Sequence, residues 1–182
     1  MILIRHGQSE FNAVFSVTRV DPGIADPRLT QDGRRQAEEA ARELTAQGVK
    51  RLISSPYTRA LETAAIIAET LGLAVTVDPL VRERAAFHCD IGTSPAVLQR
   101  RFPGLRFDHL DDPWWHDHIA LGEPESEPAL AARGEAFRRA MAAAPDWRDV
   151  AVVTHWGFIR ALTGRPVANG EAVRIDPTQA IG

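Results

Sequence analysis

His6 and His155 each follow an apolar, β-branched run, and this repetition is the chain's first sign of chemistry. Leu3-Ile4-Arg5-His6-Gly7 and Val152-Val153-Thr154-His155-Trp156-Gly157 read as two buried strands, each delivering an imidazole at its C-terminal end. Ligands of open α/β sheets bind at that edge. Between them, Ser54-Ser55-Pro56-Tyr57-Thr58-Arg59-Ala60 reads as a strand-to-helix turn with Arg59 in the first helical turn. The unpaired N–H groups and positive dipole end of a helix N-terminus attract phosphate. Glu83 lies soon after a third strand and can reach the same edge.

These residue types suit phosphoryl transfer through a phosphohistidine. A neutral imidazole is available near pH 7, since histidine's ordinary pKa is about 6.5, and it can attack phosphorus in line. The non-bridging oxygens then need fixed positive charge, which Arg5, Arg59 and a protonated His155 could supply without a metal. The leaving oxygen needs a proton, and Glu83 can give it if burial raises its pKa.

The elements that must position these groups alternate in type. After the first strand, residues 8–30 read as a loop with Asp21-Pro22-Gly23 and Asp26-Pro27 as turn signals. Thr30 caps a predicted helix through about Gln47, and residues 49–54 read as a strand. Ser55 and Pro56 are the expected N-cap and first residue of a helix that Gly72 closes. Residues 73–77 form a third strand, Ser94–Arg101 a short helix and Glu127–Ala143 a longer one with Leu130, Phe137 and Met141 on one side. Strand 149–154, helix 156–162 and strand 171–175 complete the chain. Strands alternating with helices give an α/β class with a mostly parallel sheet. Residues 84–127 are the least regular part, expected as a cap-like segment over the site within a single domain spanning 1–182.

Composition narrows the function classes. A chain of 182 residues can bury roughly 70% of its unfolded surface in one domain. No stretch approaches the roughly 18 apolar residues of a membrane span, and no leader pattern opens the chain. The single cysteine, Cys89, precludes an internal disulfide and fits a reducing cytoplasm. A formal charge of −3 gives no reason to expect nucleic acid. All basic residues but Lys50 are arginines, so an anion here meets guanidinium groups, which can fork onto phosphate.

Five ordered segments together resemble the histidine phosphatase superfamily, which includes the cofactor-dependent phosphoglycerate mutases. They are Arg5-His6-Gly7-Gln8-Ser9-Glu10-Phe11-Asn12, Asp26-Pro27-Arg28-Leu29-Thr30-Gln31-Asp32-Gly33, Ser54 through Ala60, Val81-Arg82-Glu83-Arg84 and Thr154-His155-Trp156-Gly157. The resemblance implies His6 as nucleophile, with Arg5, Arg59 and His155 binding phosphate, Asn12 assisting, and Glu83 as proton donor. It implies that Nδ1 of His6 donates to the Gly7 carbonyl. The implied fold is a three-layer α/β/α with a mixed, mainly parallel sheet. No cofactor is implied, and the expected partner is a small-molecule phosphomonoester. After Glu83-Arg84 the chain departs from the mutases, reading Ala85-Ala86-Phe87-His88-Cys89-Asp90-Ile91-Gly92 in place of a glycine-rich segment. It also lacks their longer insertion and tail. Both departures favour a phosphatase of histidine acid type, in which water takes the phosphoryl group; a mutase-type transferase and a non-catalytic phospho-ligand module are the alternatives. The stretch from Arg82 to Trp115 is similar to a mutase-like branch of plants and fungi.

Four further features need weighing. A cysteine phosphatase would need an arginine six residues after Cys89, where Pro95 stands, so Cys89 reads as a small core residue. His109, His116, Asp117 and His118 could be written as metal ligands, yet loop histidines beside acids are more often solvated. Trp114 and Trp115 either anchor the irregular segment on the core or, with Trp156, wall a substrate pocket. Arg84, Arg100 and Arg101 read as surface charge.

Overall fold

A computed structural model describes residues 1–179; the last three residues of the expected domain span lie outside the described residues. The sheet has five strands in the order β3-β2-β4-β1-β5: β1 (Ile2–Arg5), β2 (Arg51–Ser54), β3 (Val75–Val77), β4 (Val150–Thr154) and β5 (Ala172–Arg174). β1 to β4 pair in parallel and β5 runs antiparallel to β1, so the sheet is mixed and mainly parallel, as expected.

The apolar strands bury both faces. Met1, Leu3, Val150 and Val152 point to one side and pack against Leu130, Phe137 and Met141 of α6 (Glu127–Ala143) and Phe158 and Ile159 of α7 (Trp156–Thr163). Ile2, Ile4, Ala151 and Val153 point the other way, onto α2 (Gln31–Thr45) and α3 (Thr58–Leu71). Side chains alternate along a strand, so a continuous apolar run is what a strand sandwiched between helical layers requires. Each such side chain taken from water contributes roughly 1.5–3 kcal/mol. The architecture is three-layer α/β/α.

Three local expectations are corrected. Residues 8–30 are not all loop: α1 spans Glu10–Thr18. Ser9 is its N-cap, and Asn12 closes a capping box by accepting from the Ser9 backbone N–H, so the missed helix has a cap signal with asparagine where glutamate is usual. The helix after β2 starts at Thr58, not Pro56, because the Ser55 hydroxyl pairs with His155 and the Thr58 N–H is capped by Asp26. The irregular segment contains, besides the expected short helix α4 (Pro95–Arg101), an unexpected one, α5 (His118–Leu121). Among the described residues no helix is long and apolar enough to cross a membrane.

Candidate active site

The register of β1 against β4 brings the two histidines together. Arg5 lies opposite Thr154, and the next residue's N–H, that of His6, donates to the Thr154 carbonyl at 3.0 Å. The His6 and His155 rings therefore face one another with centroids 5.0 Å apart. Two parallel neighbours ending in histidine at the same level leave the imidazoles few other places to go.

His6 is held in one tautomer. Its Nδ1 lies 2.7 Å from the Gly7 carbonyl, which can only accept, so Nδ1 carries the hydrogen and Nε2 keeps its lone pair. Burial, with Arg59 and Arg5 beside it, pushes the His6 pKa well below its ordinary value and keeps the ring neutral. Gly7 itself donates to Thr63 Oγ1 at 3.1 Å and sits against the start of α2. A Cβ on Gly7 would collide with the Gly33 carbonyl, so this turn requires glycine in both places. Gly7 positions the nucleophile and does not line the cavity.

The cations lie around this ring. Arg5 donates through Nη1 to the Val167 carbonyl at 2.8 Å, while its buried Nε has no protein partner. Arg59 is buried beneath the sheet edge, with Nη1 on the Cys89 carbonyl at 2.7 Å and Nη2 on Asp90 Oδ1 at 3.1 Å. Its guanidinium lies 4.4 Å from the centre of the Tyr57 ring. His155 is fully buried behind His6, with Nε2 on Ser55 Oγ at 2.8 Å and Nδ1 without a partner. Burial and Arg59 push its pKa well below normal, so the protonated His155 expected from sequence requires the negative charge of a phosphoryl group beside it.

Glu83 accepts from the Arg84 N–H at 2.8 Å and the Gly157 N–H at 3.2 Å. Burial and the Asp90 charge raise its pKa despite those two donors, the direction a proton donor needs. Asn12 offers its Oδ1 to Ser9 and Asn169, leaving its amide nitrogen uncommitted.

Apart from His155, which stays buried behind His6, these groups open into a cavity of about 800 Å³ lined by Arg5, His6, Asn12, Arg59, Glu83 and Trp156, among others. Of residues 84–127, only Arg84, Ala86, Phe87, Cys89, Asp90 and Glu127 contribute to its walls. Neither Trp114 nor Trp115 does. Trp114 is buried, donates to the Thr93 carbonyl at 2.9 Å and packs edge-on against Tyr57 at 4.7 Å, with Trp115 behind it. The pocket-wall assignment of these two is corrected: they buttress Tyr57, which underlies Arg59 and His155. The loop histidines face backbone carbonyls, His109 at Val77 and His116 at Glu123, while Asp117 caps α5. Sequence reasoning missed Asp90, Ser55, Tyr57 and Thr63 as parts of the site. Three of these four lie in the Ser54–Thr63 turn and helix, but nothing local marked their partners.

The sequence matches the family described as histidine phosphatase superfamily (branch 1) over residues 1–180. The chain belongs to the histidine phosphatase superfamily. Glucosyl-3-phosphoglycerate phosphatase of Mycobacterium tuberculosis is 31% identical over 185 residues, covering 95% of this chain and 79% of that protein. A solved structure of a mycobacterial glucosyl-3-phosphoglycerate phosphatase with VO3 superposes with a TM-score of 0.60 at 27% identity, over 99% of this chain and 85% of that one. A probable phosphoglycerate mutase of Cronobacter sakazakii is 34% identical over 128 residues, 68% of this chain and 50% of that protein. This histidine phosphatase superfamily member is accordingly a phosphatase enzyme acting through a phosphohistidine.

Proposed function

We propose that the cavity hydrolyses an organic phosphomonoester, with His6 as nucleophile, Arg5, Arg59, Asn12 and His155 holding the phosphoryl oxygens, and Glu83 as acid and then base. Nε2 of His6 attacks phosphorus as the ester P–O bond breaks, and Glu83 protonates the departing oxygen. The resulting carboxylate takes a proton from water, whose oxygen displaces His6 from phosphorus, releasing inorganic phosphate and restoring both groups. The locked tautomer of His6 carries this reading: a ring whose Nδ1 is committed to Gly7 presents one basic nitrogen to the cavity. The positive charge for the transition state comes from guanidinium groups, so the reaction needs no metal.

The lowered His6 pKa favours activity reaching into the acidic range, the behaviour of an acid-type phosphatase, while the raised Glu83 pKa extends it toward neutrality. Of the cap-like segment expected over residues 84–127, the stretch 84–90 supplies most of the lining residues and serves as the cap in this reading. The substrate in the mycobacterial relative's name is an organic phosphate ester, which supports that substrate class here. The buried free thiol of Cys89 suits a cytoplasmic location.

Phosphate release from a panel of esters in excess chelator tests the reading. Turnover lost in His6→Ala, together with an acid-labile phosphoenzyme on the wild type, is expected. Binding of vanadate without turnover of any ester would make the cavity a phospho-ligand module. Interconversion of phosphoglycerates stimulated by bisphosphoglycerate would make the acceptor a second hydroxyl in place of water.

A further inference from the structure

Beyond the phosphate seat, the cavity has a wall that the reaction chemistry does not use. Phe11 and Phe15, one turn apart on α1, stack with centroids 5.1 Å apart and planes 16° from parallel. Phe87, from the loop after Glu83, tilts against both at 5.7 and 5.2 Å. All three line the cavity, yet Phe87 keeps 40% of its surface exposed. A large aromatic left half open beside a phosphate pocket costs hydration free energy that a ligand's apolar face would recover.

Several small polar side chains along the cavity are engaged within the protein, which leaves the aromatic surface as the prominent feature of this wall. Ser9 is committed to Asn12, and Ser16 to the Ala13 carbonyl. The Asn169 amide nitrogen serves the His6 carbonyl and Asn12, and the Gln8 amide oxygen accepts from Thr30.

On the phosphatase reading above, we propose that Phe11, Phe15 and Phe87 form a stacking wall selecting phosphomonoesters whose leaving group carries an aromatic ring. The wall comes from α1 and from the 84–90 loop and shares the cavity with His6, so a flat ring stacks on it with its phosphate on His6.

Binding separates this idea from catalysis. Benzylphosphonate and methylphosphonate carry the same charged head and cannot be hydrolysed. Benzylphosphonate is expected to bind roughly tenfold tighter by calorimetry, the worth of one or two aromatic contacts. That ratio should fall toward one in Phe15→Ala and in Phe87→Ala, and taking the ratio within each variant cancels any loss of folded protein. Equal affinities in the wild type, or a ratio unmoved in both variants, would overturn the wall. Turnover of 2-phenylethyl phosphate against ethyl and glucose 6-phosphates, all esters of alcohols, is read in parallel. Preference for glucose 6-phosphate also overturns the wall. Failure to hydrolyse any of them strikes the phosphatase reading alone, because the phosphonate ratio still decides the wall.

Discussion

Asp90 Oδ1 lies 3.1 Å from Arg59 Nη2, and both side chains are almost wholly buried at the floor of the cavity. The other oxygen, Oδ2, accepts from the Ala86 and Phe87 N–H groups at 3.0 and 3.1 Å. One carboxylate thus orients the phosphate-binding guanidinium and pins the loop that carries Phe87. Asp90→Asn removes the carboxylate hydrogen-bonded to the buried Arg59 guanidinium, which should destabilise the fold by about 3–5 kcal/mol. It also removes a negative charge that raises the Glu83 pKa. Chemical denaturation should show the first effect. A pH series of kcat/KM should show the second, as an alkaline limb displaced to lower pH.

The pH profile of the wild type follows from two opposed shifts. Glu83 must be protonated to act as acid, and burial raises its pKa, so the alkaline limb lies above an ordinary glutamate's range. His6 must be neutral to attack, and burial lowers its pKa, so the acid limb lies below an ordinary histidine's range. Glu83→Gln cannot donate a proton. It should lose on the order of 10²–10⁴ in kcat and flatten the alkaline limb. An unchanged rate and limb would remove Glu83 from the reaction.

How legible this was in the sequence depended on how local each cause is. β1 and β4 stood out because strands buried on both faces are apolar without interruption, and a histidine after each placed the reacting pair. α1 did not stand out, since it is nine residues long, only Phe11 is buried, and its Phe11–Phe15 face lines the cavity in place of packing into the core. The start of α3 was misplaced because its cap, Asp26, is contributed 32 residues earlier. Asp90 escaped for the same reason, its partner being 31 residues away. Trp114 could be read as wall or core, because composition alone does not say which side of Tyr57 it occupies.

Gly157 gives a sharper probe of the acid. Its N–H donates to Glu83 Oε2 at 3.2 Å, and a Cβ there would collide with Glu83 Oε1. Gly157 is the second residue of α7, where alanine is a better helix former than glycine by roughly 1 kcal/mol. Gly157→Ala should therefore keep its helix while displacing the carboxylate. The expected signature is a fall in kcat and a shifted alkaline limb with the denaturation midpoint little changed. A loss of stability without a change in the pH profile would mean that Glu83 tolerates the methyl group and the contact is structural.

Trp114 tests the corrected tryptophan assignment. It is 5% exposed, packed on Tyr57 and Trp115, and its indole N–H is satisfied by the Thr93 carbonyl. Removing so large a buried ring typically costs about 3–5 kcal/mol. Trp114→Ala should lower the denaturation midpoint accordingly. KM for a small phosphate ester should stay close to the wild-type value in the fraction that remains folded, because no cavity wall is lost. Tyr57 also carries the edge of His155 at 5.3 Å, so any catalytic effect should appear in kcat, through a loosened His155. A raised KM at unchanged stability would put Trp114 in contact with substrate after all.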